Sequence, residues 1–368
     1  MKISRVRAIP YRVPLRSTMN SALGAMSQSE YGLVRLETDD GLEGLGEISL
    51  IWHGDGASLC DLVNEVVGPA VVGFDLFDYS RIMAAVHASL KFGRHSLTAA
   101  AAVDMAVLDA QGKYLGQPVM NLLGGAAADR ILLTMSLSIA SPEEAVAEAH
   151  GYRDSGFRVV KVKAGRDHDR TVATVKALNA EFGSDLGVRV DLNMACVTAK
   201  EALGTIRRLE EFAVLSVEQP LAPDDLAGLA FLRQHTVLPI MVDESVWGPV
   251  DAREVILAGA ADIINIYVAE SGGIRPAKLI ADLAELNHIG VAIGSMPETG
   301  VGTAAAAHLG FSMPKLEHPS DVAGVLYHAD DVVVSNLVFD GGYIYPPTAP
   351  GLGVAIDEEK LSAFAIRR

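Results

Sequence analysis

Three acidic residues follow short apolar segments that are typical of buried strands. The segments "GVRVDLN", "VLSVEQP" and "LPIMVDES" place Asp191, Glu218 and Asp243 at three successive strand ends. A single aspartate at a strand end is more often a helix cap or a surface charge. Three carboxylates that converge would repel one another, so the pattern predicts a bound cation. Ligation by oxygen alone, without histidine or cysteine, suits Mg²⁺.

Two lysines lie two residues apart in the valine-rich segment "GFRVVKVKAG", residues 156–165. Side chains two positions apart on a strand point to the same side, so Lys161 and Lys163 would share one face. One lysine can extend to solvent from the end of a strand, but two inward-facing lysines indicate a catalytic role. Later strand ends carry Tyr267 after "INI" and Ser295 after "VAIG".

The elements that would position these residues change character along the chain. Residues 1 to about 50 alternate apolar and polar residues as antiparallel strands do, and residues 58–115 are rich in helix-favouring alanine. From about residue 130, short strands alternate with helices, which implies parallel strands. Successive strand ends lie 24 to 28 residues apart, and this regularity favours a closed barrel. "ILLTMSLSIA" would supply its first strand, and "PKLEH" near residue 315 its eighth.

Composition limits the partners of this protein. The 368 residues include 30 basic and 46 acidic ones, for a net charge of −16. This charge argues against nucleic acid or an anionic membrane as a partner. The sequence contains no apolar run of membrane-spanning length and no signal-peptide segment, so we expect a cytoplasmic protein. Cys60 and Cys196 are too few for a disulfide framework.

Together these motifs resemble the enolase superfamily, in its muconate lactonizing enzyme subgroup, over nearly the whole chain. "DDGLEGLGE" is similar to the subgroup's N-terminal hairpin, and "KVKAG" to its Lys-x-Lys strand. "DLN", "VEQP" and "VDES" resemble its three metal-ligand strands. "SGGI" and "GSMPETGVGTAAAAH" resemble the segments of its sixth and seventh strands.

The resemblance implies a modified (β/α)₇β barrel with an α+β capping domain. We expect residues 1–125 to form the capping domain, 126–325 the catalytic barrel, and 326–368 a C-terminal segment that completes the capping domain. The resemblance also implies a homo-oligomer that acts on a small carboxylate substrate.

The implied partial reaction is abstraction of the proton α to a carboxylate, which gives an enediolate. Asp191, Glu218 and Asp243 would bind Mg²⁺. Lys163 would be the base, and the ammonium of Lys161 would help to keep Lys163 able to accept a proton. The expected substrate-binding residues are Trp52, His53, Asn193, Ser295 and Glu298.

The chain departs from the subgroup's pattern at the sixth strand. The subgroup normally has a second lysine there, on the other face of the substrate, and this sequence has Tyr267. Tyrosine, with a pKa near ~10, is a poor base at neutral pH. It can still donate a proton, so we expect chemistry that needs one base and one acid. This is either elimination of water or an inefficient epimerisation with Tyr267 as the acid on the opposite face.

The expected substrate is a small hydroxylated cyclic amino acid such as cis-3-hydroxy-L-proline. The segment "PKLEHPSDVAG" lacks the Asp-x-Asp with which dipeptide epimerases grip an ammonium group. The alternatives are a racemase or epimerase of an amino-acid derivative, a muconate-type cycloisomerase, and a catalytically silent barrel that binds a carboxylate.

Overall fold

The chain begins with an antiparallel sheet. The computed structural model describes residues 1–21, 24–49, 56–90 and 93–367. The sheet contains β1 (Ile3–Ser21), β2 (Gly24–Thr38) and β3 (Glu43–Ser49), in that order. Alternate apolar residues on one face of this sheet pack against the following helices, as the sequence pattern predicts.

These helices are α1 (Gly56–Leu62), α2 (Gly68–Val71), α3 (Tyr79–Ser89) and α4 (Leu97–Leu115), with a π-helical turn (Val63–Val67) between α1 and α2. The alanine-rich α4 is buried along most of its length, and its small side chains allow β3 to approach closely. A Cβ atom on Gly46 would lie 1.8 Å from the carbonyl oxygen of Ala102, so this contact requires glycine. The helix ends at a left-handed Gly116, with φ of 64°.

A parallel barrel follows these elements. After β4 (Ile131–Leu132), its strands are neighbours in chain order: β5 (Met135–Leu137), β6 (Val159–Lys163), β7 (Gly187–Asp191), β8 (Val214–Glu218), β9 (Ile240–Val242), β10 (Ile263–Ile266) and β11 (Gly290–Ile293). Lys163 pairs in register with Asp191, and Asp191 with Glu218. The register therefore brings three charged side chains to the same end of the barrel. The predicted barrel with its capping module is confirmed.

Helices cover the outside of the barrel: α5 (Pro142–Asp154), α6 (His168–Phe182), α7 (Ala199–Leu209), α8 (Leu226–His235), α9 (Pro249–Ala258), α10 (Ile274–Leu286) and α11 (Gly300–Phe311). A capping box starts α5, in which Ser141 and Glu144 exchange side-chain and backbone hydrogen bonds. Alternation of short strands with such capped helices produces the 24- to 28-residue spacing in the sequence.

The segment that closes the barrel differs from the sequence prediction. "PKLEH" does not form a strand, so this prediction was wrong. Ser320 and Asp321 close the barrel instead: the N–H of Ser320 donates to Leu132, and that of Asp321 to Ile293. Prolines at positions 314 and 319 remove two backbone donors, which explains why so little of this segment can pair as a strand.

The C-terminal residues return toward the first sheet. They form β12 (Val333–Ser335), β13 (Phe339–Asp340), β14 (Tyr343–Ile344), β15 (Val354–Ile356) and α12 (Glu358–Phe364). The N–H of Ile366 donates to Pro10 of β1, and β14 pairs with β4. Within the described ranges, no helix is both long and apolar enough to span a membrane.

A buried carboxylate joins the first sheet to the barrel. Glu47 of β3 accepts hydrogen bonds from the N–H groups of Thr299 and Gly302, both at 3.1 Å, at the N-terminus of α11. Unpaired N–H groups at a helix N-terminus favour a carboxylate partner. The capping module is thereby held next to the loop that follows β11.

Candidate active site

A cavity of about 130 Å³ opens where the barrel strands end. Several of the predicted residues line it, namely Lys161, Lys163, Asn193, Asp243, Tyr267 and Ser295. Met19, from the far end of the β1–β2 hairpin, also lines it, so the capping module contributes to the wall. Trp52 and His53 lie outside the described residues. A larger cleft of about 260 Å³ beside the start of β11 contains none of these residues.

The three predicted metal ligands lie side by side on β7, β8 and the end of β9. Lys161 Nζ is 3.9 Å from Asp191 Oδ2 and 3.3 Å from Glu218 Oε1. The amide nitrogen of Asn265 lies 3.4 Å from the same Glu218 oxygen and 3.0 Å from Asp243 Oδ2. Single donors therefore bridge neighbouring carboxylates, which places the three groups around a common region.

Burial and mutual repulsion make these carboxylates electrostatically unequal. Burial and the Glu218 charge raise the pKa of Asp191, and burial with neighbouring carboxylates raises that of Asp243 well above its ordinary value. Burial would also raise the pKa of Glu218, but the cations of Lys161 and Arg189 outweigh it and lower that pKa. The charged form of Glu218 is therefore favoured. At Asp191 and Asp243, nearby positive charge does not offset the effect of burial.

The two lysines of β6 have different partners. Lys161 is buried, and its Nζ lies 2.6 Å from Asp321 Oδ2. Burial alone would lower the pKa of Lys161, but the carboxylates that it contacts raise it, so this side chain is an ammonium group. Lys163 lines the cavity, with Nζ 2.6 Å from Asp191 Oδ2 and 3.3 Å from Asn193 Oδ1.

Tyr267 follows β10 and is nearly buried. Its hydroxyl donates to Asp243 Oδ2 at 2.8 Å. Burial, and then the charge of Asp243, raise the pKa of this phenol well above its ordinary value. Its ring packs with Leu15 and Met296 and against the backbone of Gly294, where a Cβ atom would lie 2.3 Å from the ring. Gly294, directly after β11, therefore leaves space for the ring of Tyr267.

The remaining predicted residues occupy different positions. Asn193 Nδ2 donates to Glu244 Oε1 at 3.1 Å, and the backbone of Asn193 has a positive φ of 39°. Such strain in a non-glycine residue is typical of functional sites. The Ser295 hydroxyl donates to Glu298, which also accepts from the N–H of Met296 at 2.9 Å. These bonds hold Glu298 within its own loop, and it is not among the residues that line the cavity.

Two family models match the chain in consecutive segments. "Mandelate racemase / muconate lactonizing enzyme, N-terminal domain" matches residues 3–124, and "Enolase C-terminal domain-like" matches residues 144–360. The chain belongs to the mandelate racemase/muconate lactonizing enzyme group of the enolase superfamily. Several members of this group are similar to the chain in both sequence and structure.

Two relatives illustrate the similarity in sequence. The L-Ala-D/L-Glu epimerase of Bacillus subtilis is 35% identical over 360 residues, which cover 96% of this chain and 97% of the relative. The N-succinyl-L-Arg/Lys racemase of Bacillus cereus is 32% identical over 370 residues, which cover 100% of this chain and 98% of the relative.

Solved structures agree with this assignment. Muconate lactonizing enzyme from Pseudomonas fluorescens, complexed with muconolactone, superposes with a TM-score of 0.94 at 31% identity, covering 99% of both chains. The dipeptide epimerase from Enterococcus faecalis, complexed with Mg and the dipeptide L-Leu-L-Tyr, superposes with a TM-score of 0.90 at 29% identity. That comparison covers 96% of this chain and 100% of the epimerase.

The residues present fit the Mg²⁺ that enzymes of this superfamily bind. As the side chains stand, no three His, Cys, Asp or Glu residues in the described ranges form a ready-made ligand group. Lys163 contacts a carboxylate oxygen of Asp191, and Asn265 and Tyr267 contact one of Asp243. The three carboxylates are nevertheless suited to a hard cation, because they supply oxygen ligands and shared hydrogen-bond donors hold them close together. Burial, and then neighbouring carboxylates, raise the pKa values of Asp191 and Asp243, and a bound cation would oppose both effects.

Sequence reasoning missed several residues that support the site. Arg189 is fully buried and contacts Glu218 Oε2 at 2.7 Å and Asp321 Oδ1 at 3.3 Å. Its position two residues before Asp191 could have indicated an inward side chain. Gln219, next to Glu218, accepts a hydrogen bond from the N–H of Asp243 at 2.8 Å. The segment that contains Asp321 carried no comparable signal, because it is not a regular strand.

Proposed function

We propose that this enzyme abstracts the proton α to the carboxylate of a small substrate, with Lys163 as the base. Asp191, Glu218 and Asp243 would hold Mg²⁺. The ion, when bound, supplies positive charge to the substrate carboxylate as negative charge develops there. The Mg-complexed dipeptide epimerase of similar fold supports this assignment.

One observation carries the proposed type of reaction: Tyr267 ends β10, where the family pattern leads us to expect a second lysine. The buried phenol keeps its proton at neutral pH because its pKa is raised, and it already donates that proton to Asp243. It therefore does not serve as a second base. The site favours a reaction in which one group removes a proton and returns it on the same side of the substrate.

Elimination of water from a β-hydroxy acid meets this requirement. Lys163, as the free amine, takes the α proton, and the electron pair of the broken C–H bond forms a carbon–carbon double bond as the β carbon–oxygen bond breaks. The Lys163 ammonium then gives its proton to the leaving hydroxide, which departs as water. We propose a small hydroxylated cyclic amino acid such as cis-3-hydroxy-L-proline as the substrate, and the modest cavity of about 130 Å³ supports a small ligand.

A second candidate is an isomerase. The relatives favour it, since they include a racemase, an epimerase and a chloromuconate cycloisomerase. A racemase or epimerase would need a proton donor on the far face of the substrate, and Tyr267 would be that donor. A cycloisomerase needs proton transfer at one position only, so a single lysine suffices for it.

The test is incubation of cis-3-hydroxy-L-proline and a library of other carboxylic acids with the enzyme and Mg²⁺ in D₂O. Loss of water with formation of a cyclic imine supports the dehydratase. Deuterium at the α carbon with inverted configuration supports the epimerase, and absence of both water loss and α-proton exchange for every acid contradicts both. Lys163→Ala is expected to abolish exchange, whereas Lys176→Ala, an exposed lysine on α6, is a matched control that keeps it.

A further inference from the structure

Glu270, in the turn after β10, is a buried carboxylate for which the described residues provide no partner. It is 4% exposed and lines the active-site cavity. Neither a hydrogen bond nor an ion pair reaches its carboxylate from the described residues, and its Oε2 atom is buried without a partner. An unpaired buried carboxylate is costly, so its position in a cavity wall points to a ligand.

The surroundings of Glu270 are acidic. Glu244 also lines the cavity, and although its Oε1 accepts from Asn193, its Oε2 is buried without a partner. Burial raises the pKa of Glu270 well above its ordinary value, the charges of Glu244 and Glu298 raise it further, and Arg94 lowers it. The guanidinium of Arg94 is largely exposed and contacts Asp251 at 3.3 Å, so it does not neutralise this wall.

Among the described residues, the basic side chains at the barrel end contact carboxylates other than Glu270. Lys161 and Arg189 contact Asp321 and Glu218, and Lys163 contacts Asp191. An ion held by the three carboxylates would lie with them, and a substrate carboxylate bound there would add negative charge. The cavity thus offers one region suited to a carboxylate and another, at Glu270 and Glu244, suited to a cation.

We infer that Glu270 is a specificity-determining residue that binds the positively charged nitrogen of the substrate. This inference rests on the proposed function, because the substrate carboxylate is placed at the Asp191, Glu218 and Asp243 cluster. The substrates are then free α-amino or cyclic imino acids, which are zwitterions. Acids with an acylated nitrogen, or with none, would leave Glu270 unpaired in the cavity and bind weakly.

Two probes of nearly equal shape test this inference. L-Proline and tetrahydrofuran-2-carboxylate share a five-membered ring and a carboxylate, but a ring oxygen replaces the charged nitrogen in the second. We expect the enzyme, in excess Mg²⁺, to bind L-proline at least about tenfold more tightly in calorimetry, as a charge-assisted hydrogen bond implies. Glu270→Gln should remove this preference while binding of the oxygen analogue stays similar.

Two further variants serve as controls for this measurement. Glu270→Met removes the charge by a different side chain, so the measurement stands even if Glu270→Gln folds poorly. Glu359→Gln, on the exposed side of α12, is the matched control and should keep the wild-type preference. The inference is overturned if wild type shows no preference for L-proline, or if both Glu270 variants retain it.

Failure of this inference can be distinguished from failure of the proposed reaction. If the preference depends on Glu270 but no acid loses water or exchanges its α proton, the cation site stands and the proposed function fails. If Lys163-dependent exchange occurs while the preference does not depend on Glu270, the reaction stands and the cation site fails.

Discussion

The hydroxyl of Tyr267 donates a hydrogen bond to Oδ2 of Asp243 at 2.8 Å. Asp243 is one of three carboxylates proposed to bind Mg²⁺, so the tyrosine orients a metal ligand. Loss of such a partner typically costs about 10- to 100-fold in metal affinity or in activity. The relationship distinguishes two roles for Tyr267, namely support of the metal site and donation of a proton to the substrate.

Tyr267→Phe separates these roles. It removes the hydroxyl but keeps the ring that packs against Gly294. We expect Mg²⁺ affinity, measured by calorimetry, to fall about 10- to 100-fold, with the rate of α-proton exchange at saturating Mg²⁺ nearly unchanged. Unchanged affinity together with slower exchange would instead assign Tyr267 to proton donation and favour the isomerase.

Magnesium should increase the reactivity of Lys163. Its Nζ contacts Asp191 Oδ2 at 2.6 Å, and an ion bound to Asp191 would compete for that oxygen. We expect acylation of Lys163, followed by mass spectrometry of its peptide, to become about tenfold faster in excess Mg²⁺, as loss of a charge-assisted hydrogen bond implies. Exposed Lys176 in the same sample should react equally with and without the ion. Equal rates at Lys163 would show that the ion does not compete for Asp191.

Arg189 is expected to stabilise the barrel through buried charge pairing. Arg189→Met would leave the buried Glu218 and Asp321 with Lys161 as their shared cation. Loss of one partner from such a pair typically costs about 3–5 kcal/mol of unfolding free energy. Arg208→Met, which breaks an exposed ion pair with Asp169, should cost less than about 1 kcal/mol. Urea unfolding measures both, and similar losses would contradict the structural role of Arg189.

Glu298 should make stability depend on pH. Burial raises its pKa to about 7, despite the hydrogen bonds from Ser295 and Met296 that favour the charged form. Between the unfolded pKa near ~4.3 and about 7, the folded state binds more protons than the unfolded state, so stability falls as pH rises through this window.

Glu298→Gln cannot ionise and should lack this fall. We expect the variant to match wild type near pH 4 and to exceed it by up to about 3 kcal/mol near pH 8, in urea unfolding across that range. Glu359→Gln, at an exposed position, should follow the wild-type curve. Parallel curves for Glu298→Gln and wild type would mean that Glu298 titrates normally in the folded protein.

The charged residues of the regular strands were predictable because a strand imposes a period of two. Lys161 and Lys163 share a face for this reason, and Arg189 with Asp191 could have been inferred in the same way. The regular spacing of the strand ends then brings Asp191, Glu218 and Asp243 to one end of the barrel. Asp321 was not predictable as a partner, because its segment pairs through isolated backbone bonds after Pro319 and has no regular period.

Glu270 and Glu298 show the limit of the sequence most clearly. Both are glutamates in loops that follow barrel strands, and the sequence predicted only Glu298 as a substrate-binding residue. In the structure, donors from Ser295 and Met296 hold Glu298 within its loop, whereas no described donor reaches Glu270 in the cavity wall.

The sequence by itself determined the barrel, the cluster of three carboxylates and the paired lysines, because these depend on periodicity and spacing along the chain. The tertiary structure decided which charges are paired, since desolvation and hydrogen-bond partners come from residues far apart in the sequence. The fold brings Lys161 into contact with Asp321, Lys163 with Asp191, and Tyr267 with Asp243. It also leaves Glu270 facing the cavity without a partner among the described residues.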